Sequence, residues 1–128
     1  MYNEYVTLSN GVKIPQLGLW TWLIDDDKCS EVVKKAVEIG YRHIDTAQVY
    51  KNERGVGEGI RISGIPREEL FVVSKVAAEH KTYEEAMAGI NETLEKMRLD
   101  YLDMMIIHSP QPWEKVNQSE DRYVEGNR

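Results

Sequence analysis

The chain has 128 residues, 41% apolar and 30% charged, which suffices for one domain around one core. A net charge of −6 excludes the basic surface that a phosphate backbone requires, so nucleic acid is not an expected partner. No apolar run approaches bilayer length, there is no polybasic patch, and residues 1–10 lack the basic and apolar regions of a secretory leader, so no membrane partner is expected.

In chain order, Tyr5-Val6-Thr7-Leu8 alternates, Ser9-Asn10-Gly11 supplies an Asn-Gly turn signal, and Val12-Lys13-Ile14 resumes. That pattern predicts a β-hairpin with a type I′ turn, ended by Pro15. Leu17-Gly18-Leu19-Trp20 reads as a short strand closed by the Asp25-Asp26-Asp27 run. A helix follows over residues 28–39, with Val33, Ala36 and Val37 on one face, acidic residues near its positive end and Gly40 as its stop. Cys29 lies on this helix. As the lone cysteine it rules out an internal disulfide, fits a reducing cytoplasm, and with no basic partner in view reads as a small half-buried residue rather than a nucleophile.

A strand at 43–45 comes next, then a helix over 53–62 with Asn52 as N-cap and Gly64-Ile65-Pro66 as its stop. The run 70–74 is continuously apolar up to Ser74, as a strand covered on both faces should be. In the third helix Thr82 and Glu85 spell a capping box, Met87, Ile90, Leu94 and Met97 mark an apolar face, and Glu92 with Lys96 forms an i,i+4 pair on the wet side. The last strand is 104–107.

Strands and helices alternating through short connections imply an α/β fold with a parallel sheet and right-handed crossovers. An open nucleotide-binding sheet would carry a glycine-rich phosphate loop after its first strand, and none is present. Gly55-Val56-Gly57-Glu58-Gly59 has the wrong spacing and falls inside a helix, where close helix packing accounts for it. The expected architecture is the (β/α)8 TIM-barrel type, here an N-terminal hairpin plus about four β/α units forming a single domain over 1–128.

In such a barrel the strand C-termini converge on one rim. There the chain puts Asp45, Lys75 (after Ser74) and His108, with Tyr50 five residues beyond Asp45 in the following loop. Singly, each has a plainer role: a loop carboxylate, a snorkelling lysine, a turn histidine, a half-buried tyrosine with a wet hydroxyl. All four at one rim point to chemistry instead. His43, assigned to the helix-facing side, and His80, in a loop, do not join them, and no spacing resembles a metal site. A free phenol is a poor acid at neutrality, and a neighbouring ammonium favours the phenolate. Lys75 is that ammonium, Asp45 keeps it charged and oriented, and His108 can donate a hydrogen bond to a carbonyl oxygen. The set makes a proton donor for an alkoxide forming from an aldehyde or ketone. Hydride must come from a bound nicotinamide.

The chain resembles the aldo-keto reductase family, (β/α)8 barrels that use NADPH. The resemblance rests on Leu8-Ser9-Asn10-Gly11-Val12, Gly40-Tyr41-Arg42-His43-Ile44-Asp45-Thr46-Ala47, Tyr50-Lys51-Asn52-Glu53, Gly64-Ile65-Pro66-Arg67-Glu68-Glu69-Leu70-Phe71, Leu99-Asp100-Tyr101-Leu102-Asp103 and Ile107-His108-Ser109-Pro110. It implies a catalytic tetrad of Asp45, Tyr50 as proton donor, Lys75 and His108. It also implies cofactor contacts at Thr21, Trp22 and Asp45, and substrate contacts at Trp22, Tyr50 and His108. Trp113, in the loop after the fourth strand, reads either as a substrate wall or as an exposed loop aromatic. Trp20 departs from the pattern, standing where the family usually has Gly. A full barrel needs about 250 residues, so a second expectation is a truncated, catalytically inactive half-barrel that self-associates through open strand edges.

Overall fold

The structure is a computed structural model that describes residues 4–110. Alternation in the first fifteen residues produces β1 (Tyr5–Thr7) and β2 (Lys13–Pro15), paired antiparallel with Thr7 opposite Lys13. The turn is longer than the type I′ expected. Gly11 N–H bonds to the Leu8 carbonyl at 2.9 Å, and Gly11 (φ 84) is left-handed whereas Asn10 is not. The Asn10 side chain accepts from Val12 N–H at 3.1 Å, so its amide works as an acceptor within the loop and its backbone needs no unusual conformation.

The rest of the described chain is β3 (Gly18–Trp20), α1 (Asp26–Glu38), β4 (His43–Asp45), α2 (Glu53–Ile62), β5 (Phe71–Val76), α3 (Tyr83–Met97) and β6 (Met104–Ile107). The strands form one parallel sheet in the order β3-β4-β5-β6, and each later crossover carries a helix, the βαβ arrangement of a barrel wall. β5 runs two residues past Ser74, so Lys75 lies inside the strand, opposite Ile106, rather than beyond its end. All six residues of β5 are buried.

Strand alternation sorts the side chains. Ile44 and Val72 face the helices, where they join Cys29, Val33 and Val37 of α1, Val56 and Ile60 of α2 and Met97 of α3 in the core, with Leu19 packed against it. His43 therefore cannot face the helix layer as expected. It shares the other face with Asp45, bonds the Pro15 carbonyl through Nδ1 at 3.1 Å, and meets Phe71 edge-on at 5.3 Å. Cys29 is fully buried rather than half-buried, and burial, reinforced by Asp26, pushes its thiol up to about 11. It is a core residue.

Helix α2 lies unusually close to both neighbours. A methyl group on Gly59 would come within 2.7 Å of the Ser30 carbonyl oxygen, and one on Gly55 within 2.8 Å of Cys29 Cβ, both on α1. On Gly57 it would fall 2.5 Å from Met97 Cα and 2.7 Å from the Met97 carbonyl carbon, at the end of α3. Gly57→Ala sets two effects against each other. Helix propensity favours Ala by up to about 1 kcal/mol, while overpacking against a backbone that cannot rotate away costs about 1–3 kcal/mol. The expected outcome is net destabilisation, read as a lower urea midpoint. A higher midpoint would contradict the close approach of α2 and α3.

Two caps differ in their outcome. Thr82 and Glu85 close the predicted capping box on α3. Asn52 precedes α2 but its side chain turns inward, and the Gly55 N–H is satisfied instead by Asp26 Oδ1 at 2.8 Å, from the first turn of α1. On α3 the buried stripe is Gly89, Thr93 and Met97, while Met87 is exposed. Helix α3 packs mainly on α2 and β5, and that direction selects the stripe.

Candidate active site

Asp45 is the last residue of β4, with Trp20 and Val73 beside it in register on β3 and β5. Lys75 is one pleat further along β5 on the same face. Its ammonium reaches Asp45 Oδ1 at 2.5 Å, the Thr46 carbonyl at 2.8 Å and the Tyr50 hydroxyl at 3.3 Å. Three donors meet three acceptors, so the nearly buried charge is both neutralised and fully hydrogen-bonded. Tyr50 ends a 3₁₀ turn, Gln48–Tyr50, and Lys51 at φ 57 swings the chain from there into α2. His108 follows β6 directly. Its N–H bonds to the Val76 carbonyl at 2.9 Å, and its ring stands edge-on to Tyr50 at 5.8 Å between centroids. The four residues singled out in the sequence thus come together at one rim: Lys75 links Asp45 to the Tyr50 hydroxyl, and His108 stands against the Tyr50 ring.

Their neighbours divide into wall and support. Trp22 packs obliquely on Tyr50 at 4.9 Å between centroids. Thr21 is fully buried, and both its hydroxyl and its N–H donate to the Asp45 carbonyl at 3.0 Å, so its side chain braces Asp45 from behind. Trp20 is 62% exposed, yet its indole N–H donates to the Tyr50 hydroxyl at 2.9 Å. His80 lies beside Gly89 of α3, in the loop that follows β5. Trp113 lies outside the described residues.

A carboxylate, ammonium and phenol joined at the C-terminal rim of parallel strands is the arrangement the sequence resemblance anticipated, and the model of the Aldo/keto reductase family matches residues 16–125. The chain belongs to the aldo/keto reductase family. It is 49% identical over 106 residues to the 9,11-endoperoxide prostaglandin H2 reductase of Trypanosoma cruzi, covering 82% of this chain and 38% of that protein. It is 49% identical over 108 residues to the glyoxal reductase of Bacillus subtilis, covering 84% and 39%. Among solved structures, an aldo/keto reductase from Brucella melitensis superposes with TM-score 0.83 at 41% identity, covering 85% of this chain and 42% of that one. A Bombyx mori aldo-keto reductase in complex with NADP does so with TM-score 0.78 at 36% identity, covering 84% and 38%. The chain spans about two fifths of the length of the relatives it matches, and its described residues form a partial (β/α)8 barrel.

Beneath this aldo/keto reductase rim lie two buried polar networks that sequence reasoning missed. Asn52 accepts from Thr46 Oγ1 at 2.9 Å and donates to the carbonyls of Thr21 at 2.8 Å and Ile24 at 3.0 Å, tying the loop after β3 to the loop after β4. On the helix-facing side of the sheet, Glu53 accepts from Ser74 Oγ at 2.5 Å and from Thr93 Oγ1 at 3.1 Å. Thr93 accepts from Gln48, whose carbonyl oxygen takes the Ala77 N–H at 2.7 Å. This second network touches the residue before Lys75 and the turn that carries Tyr50. Its signal in the sequence was a polar residue at each buried register, Ser74 in an apolar strand and Thr93 four residues before Met97 on α3.

Proposed function

We propose that this chain carries the acid–base machinery of an NADPH-dependent reductase that converts aldehydes and ketones to alcohols. The observation that carries the reading is the Lys75 ammonium held between the Asp45 carboxylate and the Tyr50 hydroxyl. The rim suits a nicotinamide cofactor: its four polar side chains hold protons but no hydride, and the Trp22 ring packs beside Tyr50. Trp22 and Asp45, braced by Thr21, would hold the nicotinamide end. When bound, this cofactor supplies the hydride.

The substrate's carbonyl oxygen accepts hydrogen bonds from Tyr50 and His108, which orient it at the rim, with Trp22 as a wall. As the carbonyl carbon gains hydride, its oxygen becomes an alkoxide. The Tyr50 O–H bond breaks and its proton moves to that oxygen, giving the alcohol. The phenolate left behind faces the Lys75 ammonium, and Asp45 keeps that charge in place. Glyoxal reductase and methylglyoxal reductase stand among the relatives, so small dicarbonyls are the first substrates to test. The lone buried Cys29 suits action in the cytoplasm. NADPH consumption should be measured with a full-length protein that carries this sequence, or with this chain complemented by the rest of a barrel, across a panel of glyoxal, methylglyoxal and simple aldehydes. Turnover is expected there, with weak or no cofactor binding by the 128 residues alone. Absence of turnover with every member overturns the proposal.

A second reading has its own observation: among the described residues β3 and β6 are the edges of the sheet, and β6 exposes Ile107 at 67%. On that reading the chain is an inactive half-barrel that pairs edge to edge with another copy. Sedimentation with NADPH titration separates the two, because a monomer that binds NADPH at micromolar concentration contradicts it.

A further inference from the structure

We infer that Trp20 is a positioning residue for the proton of Tyr50, an inference that rests on the function proposed above. Trp20 stands where the sequence resemblance implies a glycine, and the four rim residues leave its indole without a role. β-Register sets it beside Asp45 on the face that carries Lys75, so the ring stands at the rim. With 62% of its surface exposed, the indole N–H has water within easy reach, yet it points inward and donates to the Tyr50 hydroxyl at 2.9 Å.

The consequence follows from the bonding capacity of a phenol, which has one O–H donor and two acceptor lone pairs. Lys75 Nζ takes one lone pair at 3.3 Å and Trp20 Nε1 takes the other. With both acceptor positions occupied, the phenolic hydrogen has only the open rim to point to, where the carbonyl oxygen would sit. Were one lone pair vacant, the hydroxyl could turn to accept a bond from water or His108, and its proton would face away from the substrate. After the O–H bond breaks and the proton passes to the substrate oxygen, the phenolate keeps both donors. A hydrogen bond to an anion is stronger than one to a neutral hydroxyl, so the Trp20 bond tightens as the transition state forms. An interaction of that kind raises kcat and leaves substrate binding nearly unchanged.

Two measurements test this. In the ¹⁵N-labelled chain, the Trp20 indole resonance is assigned by its loss in Trp20→Phe. Tyr50→Phe keeps the phenyl ring and removes only the hydroxyl, so it should shift that resonance and speed its exchange with water. Kinetically, Trp20→Phe keeps an aromatic wall but no N–H, and should lower kcat about three- to tenfold with KM unchanged. An indole resonance that does not move in Tyr50→Phe overturns the inference. So does a Trp20→Phe variant with altered KM and intact kcat, the result for a residue that only walls the pocket. Failure of the unmutated sequence to reduce any carbonyl within a full-length or complemented barrel overturns the proposed function instead, and the indole resonance then decides the Trp20–Tyr50 bond on its own.

Discussion

Tyr50→Phe is expected to lower carbonyl reduction by about 10²–10⁴-fold, the usual contribution of a positioned general acid, while NADPH binding is retained. The substitution removes one oxygen and keeps the ring that packs on Trp22 and His108, so the walls of the site survive it. Only the proton source and the acceptor shared by Lys75 and Trp20 are lost. Lys75 keeps Asp45 and the Thr46 carbonyl, so its charge remains paired and the fold is not put at risk. The measurement is kcat from NADPH consumption, with cofactor binding followed by quenching of tryptophan fluorescence. A variant that retains more than about a tenth of the rate would show that another group gives up the proton. Loss of rate and of cofactor binding together would show that Tyr50 serves the pocket rather than the chemistry.

The four rim residues could be read from the sequence because each strand-borne one breaks an apolar pattern at or near a strand end. Asp45 closes a three-residue strand, Lys75 interrupts a run of valines, and His108 follows four apolar residues. Helix positions were legible for the same reason, since period and glycine stops are local signals. What stayed hidden depends on which neighbour an element meets. His43 and Ile44 are adjacent and differ only in face, and three residues of strand are too few to declare which face is inward. Asn52 carries a capping residue's identity, but two carbonyls and a hydroxyl lie within its reach, and they win over its own helix. The apolar repeat on α3 names Met87, yet the direction in which α3 lies on α2 buries Gly89 and Thr93. Trp20 was visible as a departure, but only its geometry ties it to Tyr50.

The Glu53 network predicts the larger effect on stability. Glu53 is 3% exposed, and burial pushes its carboxyl up from the ordinary value of 4.5, against the hydrogen bonds from Ser74 and Thr93 that pull it down. With the folded value above the unfolded one, this group's contribution is complete below the ordinary carboxyl value and is lost as pH rises through the raised one. Glu53→Gln cannot ionise, so the stability of the Gln variant relative to the unmutated chain should climb across that window and level off above it. Urea midpoints at several pH values between 4 and 9, taken on both proteins, isolate this term because every other titrating group cancels. A difference that stays constant with pH, or falls, contradicts the assignment. Glu53→Ala is a harsher test. It leaves the Ser74 and Thr93 hydroxyls buried without their acceptor and opens a cavity under β5, at a cost of about 2–5 kcal/mol. Ser74 precedes Lys75, and Gln48, bonded to Thr93, begins the turn that ends at Tyr50. The loss should therefore reach the rim: any Glu53→Ala protein that still folds should show a slower kcat than the Gln variant, whose amide oxygen still accepts from Ser74.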